Sequence, residues 1–165
     1  MRVNSLKPFP YEPGAPAPLR LRVKKEIRFG ECDPMGVVWH GNYAQYFEEA
    51  REVFSRACGL GFDVLQRAGV VFPVKTLFFD YCKPLRYGRE YIVEIVAHWS
   101  EAMRVNAEYF IFDQQEELCT RGFSVQLLVD VQGRLVLDAP PFYQEFKDNW
   151  AKGNFSGFQN TQRIF

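Results

Sequence analysis

One stretch of helical periodicity, set among alternating segments, most restricts what this chain can fold into. Tyr43, Tyr46, Phe47, Ala50, Phe54 and Ala57 recur at three- and four-residue steps, which lines one flank of a helix with apolar side chains. Glu48, Glu49, Arg51, Glu52, Ser55 and Arg56 take the other flank. Glu52 and Arg56 stand four apart in the order that favours an ion pair. Asn42 is placed to cap the helix start, and Gly59 and Gly61 to end it. A single long helix with so wide an aromatic stripe must bury that stripe against another layer.

The remaining segments offer a sheet. Leu21, Val23, Ile27 and Phe29 fall on one parity of a strand from Leu21 to Phe29. Val71 to Cys82, Tyr91 to Trp99, Arg104 to Phe112 and Leu118 to Val129 read as further strands. Leu135 to Leu137 extends the sheet after a turn at Gln132 and Gly133. Phe62 to Ala68 forms a second, short helix. Phe142 to Trp150 forms a terminal one after Pro140 and Pro141. Strands joined by short turns pair antiparallel. The expected class is therefore α+β, with one curved antiparallel sheet wrapped around one long helix.

Composition bounds the rest. With 165 residues, 47% of them hydrophobic and 24% charged, the chain can bury a core without disulfides or metal. Five of the ten prolines (Pro8, Pro10, Pro13, Pro16 and Pro18) crowd the start. Residues 1–20 therefore read as an extended arm that can order only by lying across a neighbouring surface. Residues 21–151 form the folded domain, and residues 152–165 carry no signal and read as a tail. Cys32, Cys58, Cys82 and Cys119 are scattered and only two His accompany them, so neither a zinc site nor a disulfide framework is expected. No cofactor is implied. Twenty basic residues balance twenty acidic ones, which argues against a nucleic-acid partner. No apolar run approaches the ~20 residues that span a bilayer, and the start lacks a secretory signal pattern. Residence in the cytoplasm is the expectation.

Chemistry concentrates in the loop from Gly30 to Gly41 and the helix start behind it. An acid, Asp33, precedes two glycines and a helix N-terminus. Free amides at a helix start carry partial positive charge and can hold a developing oxyanion. A nearby carboxylate can act as general base or nucleophile. Acyl transfer needs both parts. By pattern alone, an Asp-Pro pair is more often a plain turn.

The run Asp33-Pro34-x-Gly36-Val37-Val38-Trp39-His40-x-Asn42-Tyr43, followed by Glu48-x-Ala50-Arg51, resembles the signature of the 4-hydroxybenzoyl-CoA thioesterase family. It is also similar to the short-chain acyl-CoA thioesterases of the Tol–Pal operon. The resemblance spans roughly Leu21 to Val136. It implies a hot-dog fold and hydrolysis of an acyl-CoA thioester to free acid and CoA, with an acyl-carrier protein as the alternative carrier. It places the catalytic carboxylate on Asp33 and puts His40 at the position whose backbone amide polarises the carbonyl. The His40 ring is a candidate to orient water or the leaving thiol. Trp39 and Tyr43 are expected to line the acyl pocket, and a homodimer or homotetramer is expected. Two alternatives belong to other classes: an acyl-thioester hydratase or dehydratase, and a non-catalytic acyl-CoA binding module. Glu48 and Glu49 read as solvent-facing or subunit-contact residues, and Cys32 as an incidental thiol. Lys83, Arg86 and Arg89 read as a basic turn that either meets phosphates or is simply solvated.

Overall fold

The computed structural model describes residues 8–155 and Phe158. Five strands form the main sheet: β1 (Leu19–Glu26), β3 (Val74–Tyr81), β4 (Glu90–His98), β5 (Arg104–Phe112) and β6 (Leu118–Leu127). Their order is β1-β4-β5-β6-β3, with every neighbouring pair antiparallel. Two short strands, β2 (Val70–Val71) and β7 (Val129–Asp130), pair in a second small sheet. The long helix α1 (Tyr43–Ala57) precedes the short helix α2 (Phe62–Ala68), and α3 (Pro141–Ala151) follows the last strand. An antiparallel sheet packed on one long helix is the arrangement that the motif resemblance implies.

The apolar stripe of α1 behaves as its period predicts. Tyr43, Tyr46, Phe47, Ala50 and Phe54 are all buried, whereas Ala57, on the same stripe, is exposed in the last turn. Phe47 stacks between Tyr109 of β5 and Phe79 of β3, with ring centroids 4.3 and 4.8 Å away. Gly122 of β6 makes this approach possible. A Cβ there would lie 2.6 Å from the Phe47 ring and 2.3 Å from the Phe78 carbonyl oxygen.

Several boundaries differ from expectation, each for a local reason. Pro73 divides the expected Val71–Cys82 strand into β2 and β3, because proline cannot donate to a ladder. β1 begins two residues early and ends at Glu26, and Phe29–Glu31 curls into a 3-10 turn. Leu135 does not extend the main sheet. It bridges Val129 instead, on the margin of the small sheet. Asn42 does not cap α1. A 3-10 turn over His40–Asn42 already leads into the helix, and the Asn42 side chain instead donates 2.8 Å to the Glu31 carbonyl.

The described part of the arm lies across the outer face of the chain's own sheet. Phe9 packs against His98 and Phe123 at 5.3 and 5.8 Å. The Trp150 indole N–H donates 2.8 Å to the Ala17 carbonyl and so ties the arm to α3. Residues 1–7 of the arm, and most of the expected tail at 152–165, lie outside the described residues. Among the described residues no helix is long and apolar enough to cross a membrane.

Candidate active site

Between Cys32 and Val38 the chain doubles back on itself. The Asp33 amide donates to the Val37 carbonyl at 2.8 Å, and the Gly36 amide donates to the Asp33 carbonyl at 2.9 Å. Pro34 supplies the fixed φ that the second turn position favours. Gly36 takes φ +72°, which a side-chain-bearing residue adopts only with strain. Asp33 Oδ1 accepts from the Met35 amide at 2.8 Å and from the Val37 amide at 3.4 Å. This local bonding holds the carboxylate in place. Among the described residues, Oδ2 makes no hydrogen bond, and the residue is half-buried. The turn is thus a genuine Asp-Pro turn that leaves one carboxylate oxygen available.

The turn is anchored on both sides. Val38 donates to the Leu85 carbonyl at 2.9 Å and Tyr87 to the Gly36 carbonyl at 3.3 Å. The Glu31 carbonyl accepts from the Trp39 amide at 3.0 Å and from the Asn42 side chain. The start of the helical segment is therefore pinned to the residue two before Asp33. His40 and Gly41 stand at that start, exposed. Among the described residues their amides have no hydrogen-bond acceptor. A free carboxylate oxygen and free helix-start amides thus sit on one short, rigid segment.

The other predicted residues divide between surface and core. Trp39 is 53% exposed, and its ring lies 4.9 Å from that of His40. The Tyr81 hydroxyl donates to the His40 carbonyl at 3.4 Å. Tyr43 lies beneath them in the core, and the Leu85 amide donates to its hydroxyl at 3.5 Å. Burial pushes the Tyr43 hydroxyl above the ordinary tyrosine value. Within one chain, then, Trp39 and His40 lie side by side and exposed, Asp33 is half-buried in the turn before them, and Tyr43 lies in the core.

Burial and the adjacent Glu31 and Asp33 carboxylates raise the Cys32 thiol above the ordinary value, which disfavours the thiolate that attack requires. Glu48 pairs with Arg51 on the same helix. Lys83 pairs with Glu117, while Arg86 and Arg89 are exposed. A groove of 480 Å³ runs along α1 from Gln45 to Ser55, with Leu60, Leu65, Val71 and Phe72 among its lining. Among the described residues no group of three or more His, Cys, Asp or Glu is placed to hold a metal.

One cluster escaped sequence reasoning. Lys25, on the inward parity of β1 with Leu21 and Val23, places its ammonium 3.0 Å from Glu31 and 3.0 Å from Glu49. Only its inward parity among apolar residues, followed by acids at Glu31 and Glu49, could have signalled it.

The model of the thioesterase-like superfamily matches residues 27–149. YneP of Bacillus subtilis, assigned as an acyl-CoA thioesterase, is 30% identical over 105 residues, covering 64% of this chain and 76% of YneP. The chloroplastic acyl-acyl carrier protein thioesterase ATL3 of Arabidopsis thaliana is 30% identical over 108 residues, 64% of this chain and 57% of ATL3. Among solved structures, the DHNA-CoA thioesterase of Staphylococcus aureus superposes with a TM-score of 0.73 at 24% identity, covering 88% of this chain and 97% of that one. The matched span takes in the Asp33 turn, the helix start and four of the five strands of the main sheet, starting just after β1. The chain belongs to the thioesterase-like superfamily and has its hot-dog fold.

Proposed function

We propose that this thioester hydrolase cleaves an acyl-CoA to free acid and CoA at the segment that carries Asp33. The observation that carries this reading is the pairing of a turn-fixed carboxylate, one oxygen unengaged, with unpaired amides at the helix start. Asp33 either attacks the thioester carbonyl carbon directly or takes a proton from the water that does. In both routes the carbonyl oxygen gains negative charge, and the amide of His40 donates to it. The C–S bond then breaks, and the sulfur leaves as the thiol of CoA once protonated; in the direct route the acyl group remains on Asp33 as an anhydride, which water then cleaves to the free acid and the restored carboxylate. The His40 ring, exposed beside Trp39, is placed to orient water or the departing thiol. Trp39 supplies apolar surface to the acyl group, and Tyr43 backs it from the core. Arg86 and Arg89, exposed on the segment that pairs with the Asp33 turn, suit contacts with the phosphates of the carrier.

Assembly belongs to the same proposal. β3 is an edge strand on which Val74, Leu77 and Tyr81 are 44%, 41% and 48% exposed. A long apolar edge needs cover, and a second copy of this chain supplies it in a homodimer, alone or paired into a tetramer. A cytoplasmic location fits this assignment.

Purified protein should release free thiol from acyl-CoA substrates, with the rate rising and falling across a panel of acyl groups. The same panel on an acyl-carrier protein distinguishes the carriers. Loss of the conjugated band of an enoyl-CoA without thiol release would show a hydratase. Tight binding with no turnover would show a binding module. Either outcome would overturn the proposal.

A further inference from the structure

We propose that Lys25 is a positioning residue for the reaction: its ammonium clamps the Asp33 loop to helix α1 and thereby sets the carboxylate against the helix-start amides. The inference rests on the assignment of Asp33 above.

The geometry begins with an unusual placement. Lys25 follows Leu19, Leu21 and Val23 on the face of β1 that meets α1, and its side chain is only 10% exposed. A lysine rarely occupies such a position, because taking an ammonium out of water is costly unless it is paired. Here it is paired twice. Nζ lies 3.0 Å from Glu31 Oε1 on the loop side, and 3.0 and 3.2 Å from Glu49 Oε2 and Oε1 on the helix side. Below, it stands 4.6 Å from the centroid of the Tyr46 ring, a cation–π contact.

Glu31 is the link through which Lys25 reaches the reacting groups. Its side chain also accepts from the Arg28 amide at 2.7 Å. Its own carbonyl accepts from the Trp39 amide at 3.0 Å and the Asn42 side chain at 2.8 Å. The same residue therefore holds the strand end, the residue before the helix-start amides and the last residue of the 3-10 turn. Asp33 follows two positions later. Lys25 closes this arrangement onto the middle of α1 at Glu49, one turn past the buried Tyr46. Without the ammonium, two carboxylates face each other across the strand end, and the loop and helix lose their shared anchor. A displacement of the carboxylate on the order of 1 Å is enough to cost about a hundredfold in rate.

The test uses the full-length protein. Lys25→Met keeps an unbranched apolar stem of nearly the same length over Tyr46 and removes the charge. It should lower kcat at least about tenfold with KM changed less than about threefold. Lys25→Arg keeps the charge and should recover most of the rate. Glu49→Gln weakens only the helix side of the clamp at a partly exposed residue, so it keeps the fold. It should lower kcat by a smaller factor of about three. Normal kcat in Lys25→Met would overturn the inference, as would a loss confined to KM or a Lys25→Arg variant no better than Lys25→Met. If Lys25→Met fails to fold, Glu49→Gln decides alone. Asp33→Asn, assayed alongside, keeps the two assignments apart. Full activity there sinks the role of Asp33, while an inactive Asp33→Asn beside a fully active Lys25→Met sinks only the role of Lys25.

Discussion

At the scale of single residues, the carboxylates near the helix start are shaped by their partners. Burial works to raise Glu31, but the Arg28 amide and the Lys25 ammonium outweigh it and hold the carboxyl below its ordinary value of 4.5. A group whose folded value is depressed stabilises the fold above the unfolded value. That contribution drains away as pH falls through the folded value. The melting midpoint should therefore drop as pH falls below 4.5. Glu31→Gln should remove part of that pH dependence while leaving the rest of the curve intact. A variant with the same acid-side slope as the native protein would contradict the role given to Glu31. Lys25 also marks what the sequence conceals. Period-two alternation identifies the inward face of β1, but a charge on that parity looks like a break in the pattern. Its partners lie 6 and 24 positions away in sequence, and only the fold brings them together.

At the scale of elements, α1 and its end before Gly59 were the most legible part of the chain and its N-cap the least. The three-and-four spacing of Tyr43, Tyr46, Phe47, Ala50 and Phe54 reports burial directly, because a helix shows one flank to the sheet. The cap expected at Asn42 failed because the residue is already helical and its side chain is drawn to the Glu31 carbonyl. The break at Pro73 was readable in principle, since a proline demotes a strand. The contact between α1 and the sheet depends on Gly122, a feature that no periodicity reveals. Gly122→Ala would press a methyl group into the Phe47 ring and the Phe78 carbonyl. It should destabilise the protein by about 1–3 kcal/mol, seen as a lower melting midpoint. An unchanged midpoint would show that the helix can shift away at no cost. The Asp33 turn stands between these extremes. The sequence shows its Asp-Pro and Gly36 chemistry, and the motif resemblance suggests its use. Which oxygen the turn leaves free follows only from the Met35 and Val37 amides.

At the scale of the whole molecule, the two faces of the sheet have different partners. The inner face holds α1, and the outer face carries the described part of the proline-rich arm through Phe9. The β3 edge remains, and its apolar residues are where a second copy is proposed to pair. Leu77→Lys places a charge on that edge at a partly exposed position, so the fold itself should tolerate it. It should reduce the mass measured by light scattering to that of a single chain. A native protein that already has the mass of one chain would contradict the proposed assembly. The account of the molecule as an enzyme rests on Asp33, and Asp33→Asn in the thiol-release assay tests it most directly. The substitution keeps the size of the side chain and an oxygen for the Met35 and Val37 amides, but removes the charge. The account predicts that release of thiol from the best acyl-CoA substrate falls by at least about a hundredfold, with substrate binding retained. Turnover close to that of the native protein would contradict it.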